Sequence, residues 1–269
     1  MSVKERNNVH VSGLGASTIF FAHGFGCDQN MWRLLAPAYA DRYRIVLFDL
    51  VGSGLSDEAA FDKTKYASLR GYAADLAEVV REFGHGPAIL VSHSVSGMIG
   101  VLADNAHPGL FAAHAMVGPS PCYIDDPATG YVGGFRREDI ESLLTTLESN
   151  YLGWSSTMAP VIMGSPEQPA LGVELANSFC RTNPEIAKHF ARVTFHADHR
   201  ADLQLLQTPT LILQSDDDLI APMDVGRYMQ AVMPRATLRI VENVGHCPHL
   251  SQPGACAEAI DEFLAANAL

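Results

Sequence analysis

The sequence predicts an α/β protein, with a mostly parallel central sheet flanked by helices and a helical insertion over it. Three observations carry this. Continuous apolar runs of strand length recur along the chain and alternate with stretches whose apolar residues return at helical spacing. Several of the runs end in loops rich in Gly, Ser or Asp, as expected where the carboxyl ends of parallel strands open onto a site. Between about residues 133 and 197 the strand-like runs stop and only helical periods remain.

In chain order, Val9-His10-Val11 alternates in the manner of an edge strand, and Ser12-Gly13-Leu14-Gly15 reads as a turn. Thr18-Ile19-Phe20-Phe21-Ala22 and Arg44-Ile45-Val46-Leu47-Phe48-Asp49 are the apolar runs of a sheet buried on both faces. Leu69, Tyr72, Ala73, Leu76, Val79, Val80 and Phe83 share one helical face that ends near Gly84. A strand from Ile89 turns at Ser94 into a helix through Met98, Val101, Leu102 and Ala106, closed by Pro108; Ala113-His114-Ala115-Met116-Val117 is the next strand. Such alternation implies parallel strands joined by right-handed crossovers.

The insertion shows four helical periods: Ile140, Leu143, Leu144, Leu147; Tyr151, Trp154, Met158; Leu171, Leu175, Phe179; and Ile186, Phe190, Val193. Residues 133–197 are therefore expected to form a lid, and residues 1–132 with 198–269 the core. The sheet resumes at Thr210-Leu211-Ile212-Leu213-Gln214. A helix through Val225, Tyr228, Met229 and Val232, a strand Leu238-Arg239-Ile240-Val241 and a last helix from Cys256 to Ala266 complete the chain.

Composition narrows the function classes. A net charge of −12, spread along the chain, disfavours nucleic acid or an anionic membrane as partner. No apolar run approaches the ~20 residues of a membrane span. Met1 to Asn8 lacks the apolar core of a secretion signal. Five scattered cysteines suit a reduced, cytoplasmic protein with free thiols. Gly52-Ser53-Gly54 lacks the third glycine and the helix of a dinucleotide site. His246-Cys247-Pro248-His249 has no further clustered ligands, so neither a metal nor a cofactor is expected.

The chemistry converges on three strand ends. Ser92-His93-Ser94-Val95-Ser96 is a strand-to-helix turn in which small residues flank Ser94, the steric logic of a nucleophile elbow, although Ser92 and Ser96 stand where that motif has glycine. Asp216-Asp217-Asp218 follows a later strand, and Gly245-His246 follows the last. A serine hydroxyl needs an imidazole to take its proton, and the imidazole needs a carboxylate to fix its tautomer. The order Ser…Asp…His is the one found in α/β-hydrolases. The amide of Val95 at a helix N-terminus, and that of Phe25 in the loop His23-Gly24-Phe25-Gly26, would form the oxyanion hole. His23 and His93 are expected to hold structural hydrogen bonds.

The segments His23-Gly24-Phe25-Gly26-Cys27-Asp28-Gln29, Leu47-Phe48-Asp49-Leu50-Val51-Gly52-Ser53-Gly54, Met116-Val117-Gly118-Pro119-Ser120-Pro121-Cys122-Tyr123, Asn150-Tyr151-Leu152-Gly153-Trp154 and Gly245-His246-Cys247-Pro248-His249 closely resemble RsbQ-type α/β-hydrolases. That family is similar in turn to the plant karrikin and strigolactone receptors, with a four-helix cap over a Ser-His-Asp site. The resemblance implies a triad of Ser94, Asp218 and His246. The family pattern Asp-x-x-x-Pro selects Asp218 with Pro222, and Asp217 stays open as the alternative. It also implies a small apolar pocket walled by Phe25, Phe135, Trp154, Met158 and Phe195. The implied role is hydrolysis of a small apolar ester or lactone in bacterial stress signalling, as positive regulator of a phosphatase that carries a PAS domain. The alternatives are a small-molecule sensor with vestigial hydrolysis, and a cofactor-free haloperoxidase-like esterase. Ser92 and Ser96 depart from the glycines of the family pattern and bear on the rate of turnover.

Overall fold

The computed structural model describes all 269 residues. Seven strands form one sheet: β1 (His10–Ser12), β2 (Thr18–Ala22), β3 (Arg44–Phe48), β4 (Ala88–His93), β5 (Ala113–Val117), β6 (Thr210–Asp217) and β7 (Ala236–Val244). Their spatial order is β1-β3-β2-β4-β5-β6-β7, and only the edge strand β1 runs antiparallel to its neighbour. β4, which ends at the elbow, therefore lies near the middle, where neighbours on both sides hold its register.

The apolar runs are continuous because both sheet faces are covered. Phe20, Val46, Leu90, Met116 and Ile212 point to one side. There they meet α1 (Leu69–Phe83), α2 (Val95–Ala106) and α3 (Met223–Val232). Ile19, Phe21, Ile45, Ile89, Val91, Ala115, Leu211 and Leu213 point to the other, against Trp32, Tyr39 and α4 (Pro253–Ala266). This is the period of two that a strand imposes on its side chains. Each large side chain buried in this way contributes about 1.5–3 kcal/mol relative to exposure.

Three boundaries differ from the sequence expectation by three residues. β6 and β7 run three residues further than the apolar runs, to Asp217 and Val244, through a bulge between Ser215 and Asp217. The residues there are mostly polar, with Asp216, Asp217 and Glu242 exposed and Ser215 and Asn243 buried and bonded to each other at 3.1 Å, a pattern which an apolar count does not register. α4 starts at Pro253 rather than Cys256, because proline is preorganised for the first helical position.

Between β5 and β6 lie four helices: α5 (Arg137–Ser149), α6 (Tyr151–Met163), α7 (Pro169–Arg181) and α8 (Pro184–Phe195). They match the four apolar periods and form the helical cap. A third apolar cluster, built from Leu144, Trp154, Leu175, Phe179 and Phe195 with Cys27 and Cys247 of the core, joins cap to sheet edge. Two ion pairs tie α7 to the core: Arg181 to Asp28 at 2.8 Å and Arg33 to Glu174 at 2.6 Å. Both are partly solvated and are worth at most about 1 kcal/mol each, so apolar contact dominates this seam. No helix is long and apolar enough to cross a membrane.

Candidate active site

Ser94 follows the last residue of β4 and precedes the first of α2, with φ 56° and ψ −124°. That region is strained for any residue with a Cβ, and such strain is held only where the surroundings enforce it. Here the Ser94 amide donates to Val117 of β5 at 2.9 Å, and the helix begins at once. The turn leaves the Val95 amide as the first of α2, with no carbonyl in the helix to receive it. The Phe25 amide likewise has no acceptor within the protein. The two serines at the glycine positions behave differently. Ser96 donates its hydroxyl to the carbonyl of His23, joining the first turn of α2 to the loop that carries Phe25. Ser92 is fully buried and its hydroxyl has no partner.

His246 and Asp218 arrive from the ends of β7 and β6. His246 Nε2 lies 2.9 Å from Ser94 Oγ, and its Nδ1 lies 2.8 Å from Asp218 Oδ2. The other carboxylate oxygen of Asp218 accepts the amides of Ile220 at 2.8 Å and Ala221 at 3.1 Å. All three side chains are buried. Asp217 is exposed and meets this loop only through its carbonyl, which accepts the Gly245 amide at 2.7 Å. Gly118 makes room for the imidazole. It sits at φ +55°, and a Cβ there would stand 3.1 Å from His246 Cε1. The His246 amide in turn donates to the carbonyl of Ile162 in α6 at 2.9 Å, so the last turn of a cap helix holds the backbone of this histidine.

Above Ser94 the cap closes a small pocket of about 40 Å³. That suits a few water-sized groups or one small ligand. Phe25, Trp154, Met158 and Phe195 line it, as the sequence suggested. Phe25 also packs edge and face against Phe179, Phe190 and Phe195, with centroids 5.7, 5.7 and 6.0 Å away.

Phe135 does not line the pocket. Its backbone pairs with Tyr123 and Asp125 in a short bridge, which commits its side chain to the edge of the cap cluster. The sequence reading missed Cys27, Tyr123, Thr194, Ile220 and Cys247, which do line it. Cys27, Tyr123 and Cys247 stand within motif segments already singled out, but no periodicity marks which way they face. Burial raises both thiols well above their ordinary value, so they serve as neutral wall. Burial also pushes the Tyr123 phenol up to about 12, while the Ser94 hydroxyl beside it acts the other way.

Three further histidines, His23, His93 and His249, are buried close by. His23 Nε2 accepts the Leu50 amide at 3.0 Å, and its Nδ1 bonds the Gly24 carbonyl at 2.9 Å. His93 Nε2 donates to the His246 carbonyl at 3.0 Å. His249 is wedged between Trp32 and His93, with centroids 4.7 and 4.5 Å away and no partner for either ring nitrogen. No group of three or more His, Cys, Asp or Glu is placed to hold a metal ion.

Burial depresses the pKa of His93 well below its ordinary value and that of His249 to about 3, and neighbouring histidines add to both effects. Below about pH 6.5 the unfolded chain binds protons on these two rings that the folded chain refuses. Stability must therefore fall as pH drops through that point, by roughly 1.4 kcal/mol per unit for each ring. Urea midpoints between pH 7 and 5 are expected to decline accordingly, above the range in which paired carboxylates protonate. A flat midpoint across that interval would show that these rings accept protons in place.

The sequence profile described as the alpha/beta hydrolase family matches residues 19–259. The chain belongs to the alpha/beta hydrolase family. Among relatives of this alpha/beta hydrolase, a karrikin insensitive 2 receptor of Petunia hybrida is 37% identical over 93% of each chain. A strigolactone esterase of Arabidopsis thaliana is 34% identical over 98% of each. A solved structure of a hydrolase from Oleispira antarctica is 39% identical and superposes with a TM-score of 0.94, covering 98% of this chain and 96% of that one.

Proposed function

We propose that this alpha/beta hydrolase cleaves small, largely apolar esters or lactones with Ser94 as nucleophile. The observation that carries the reading is the hydrogen-bonded line from Ser94 through His246 to Asp218 at 2.9 and 2.8 Å, on the floor of an apolar pocket. In this reading His246 Nε2 takes the hydroxyl proton as Oγ attacks the carbonyl carbon. Asp218 holds the ring in the Nδ1–H tautomer and stabilises the imidazolium. The Phe25 and Val95 amides receive the oxyanion. Collapse breaks the bond to the alcohol oxygen, which leaves with the proton from His246. Water, deprotonated by the same nitrogen, then releases the acid from Ser94. The relative described as a strigolactone esterase supports ester cleavage.

Mass spectrometry of the protein incubated with activated esters and lactones tests this. A single acyl adduct on Ser94 is expected. Turnover of those compounds with acylation elsewhere, or with none at any time point, would overturn it.

A second reading concerns what the hydrolase is for. We propose that residues 133–197 act as a lid whose position reports occupancy, in an RsbQ-type role as a cytoplasmic positive regulator of a PAS-domain phosphatase in bacterial stress signalling. The bond from the His246 amide to the Ile162 carbonyl favours it, since chemistry at His246 and the lid share a backbone contact. Relatives described as receptors give it further support. Affinity capture with a PAS-domain phosphatase from the same genome is the check; no binding, with or without ester, counts against the signalling role.

A further inference from the structure

We propose that Thr194 is a polar subsite of this pocket and selects neutral esters or lactones that carry a second acceptor oxygen, keto or ether. The inference rests on the hydrolase reading and deepens it. Thr194 lies on α8, is 1% exposed, and lines the pocket that holds Ser94 and His246. Its hydroxyl has no hydrogen-bond partner in the protein.

That is unusual among its neighbours. A helical Ser or Thr normally satisfies its hydroxyl by donating to the carbonyl four residues back. On the cap helices Thr145, Thr146, Ser155, Ser156 and Thr157 all do so. Ser178 is also buried without a partner, but it does not line the pocket. Leaving a buried hydroxyl unpaired is unfavourable, and a bound acceptor would relieve that penalty.

The rest of the wall fixes the class of ligand. Ser94 and His246 are engaged with each other, His93 with the His246 carbonyl, and Tyr123 stands beside Ser94. The other lining side chains are apolar or neutral thiols, and no Lys or Arg faces the cavity. A carboxylate ligand would be stranded there, whereas one neutral oxygen opposite Thr194 would be satisfied.

The test compares methyl butyrate with methyl acetoacetate, esters of equal chain length that differ by one keto oxygen, on wild-type, Thr194→Val and Thr194→Ser proteins. Thr194→Val keeps the shape and removes the hydroxyl. It is expected to shift the ratio of kcat/KM for the two esters roughly 3–10-fold towards methyl butyrate, the range of one neutral hydrogen bond, mainly through KM. Thr194→Ser is expected to restore most of the wild-type ratio, which a loss of folding would not allow. Dissociation constants on a Ser94→Ala background give the same comparison where turnover is too slow to read. A ratio unchanged by Thr194→Val, or neither ester bound nor cleaved, overturns the subsite. Ester turnover that survives Ser94→Ala overturns the hydrolase reading instead.

Discussion

Replacing Ser94 with alanine is expected to lower turnover of a small activated ester by up to ~10⁶-fold, the scale on which removal of a nucleophile disables a serine triad. The fold should survive. Alanine has a Cβ just as serine does, so the strain of φ 56° is carried over rather than increased. The hydroxyl's bond to His246 Nε2 and its contact with the Tyr123 phenol are removed, and no backbone hydrogen bond is touched. Far-ultraviolet circular dichroism and Tm should therefore stay close to wild type while kcat collapses. What activity remains would come from the amides of Phe25 and Val95 and from binding, which in such sites still contribute ~10³–10⁴-fold over water. A Ser94→Ala protein that retains more than a tenth of wild-type kcat would remove Ser94 from the chemistry.

Much of this site is legible in the sequence because its parts are punctuated by backbone demands. An apolar strand followed by Ser92-His93-Ser94-Val95-Ser96 can turn into a helix only with small residues around Ser94, and Gly245 before His246 marks another forced turn. Both signals are local. The choice between Asp217 and Asp218 is not, because Asp217 ends β6 with its side chain exposed, whereas Asp218 opens a turn whose Ile220 and Ala221 amides hold its carboxylate in the buried interior. Side-chain direction in the cap is hidden for a related reason. Trp154, Met158 and Phe195 lie on apolar helical faces and turn into the pocket, whereas Phe135 lies before the first cap helix, where a short backbone bridge sets its direction. Thr194 is one of many helical hydroxyls, and only its missing partner distinguishes it.

Asp218→Asn is expected to cost ~10⁴-fold in kcat with little change in KM, by the wrong-tautomer effect that such a substitution has in a serine triad. The size follows from where the two backbone amides sit. Ile220 and Ala221 donate to one oxygen of Asp218, so the asparagine must keep its carbonyl oxygen there; turning the NH₂ towards them would oppose donor to donor. The NH₂ group then faces His246 Nδ1, which in the wild type bonds a carboxylate oxygen. To accept from the NH₂ group, Nδ1 must give up its proton, and the ring carries it on Nε2 instead. Nε2–H points at Ser94 Oγ and has no lone pair to take the serine proton. The pocket walls are untouched, so ester binding should persist. The ¹⁵N shifts of the His246 ring report the tautomer directly, and kinetics on the same sample report its consequence. Asp217→Asn is the matched control. Its side chain is exposed and only its carbonyl meets the loop, so turnover should stay near the wild-type value. If Asp218→Asn keeps kcat within tenfold of wild type, or Asp217→Asn proves the more damaging, then the carboxylate that orients His246 during turnover is not the one bonded to it here.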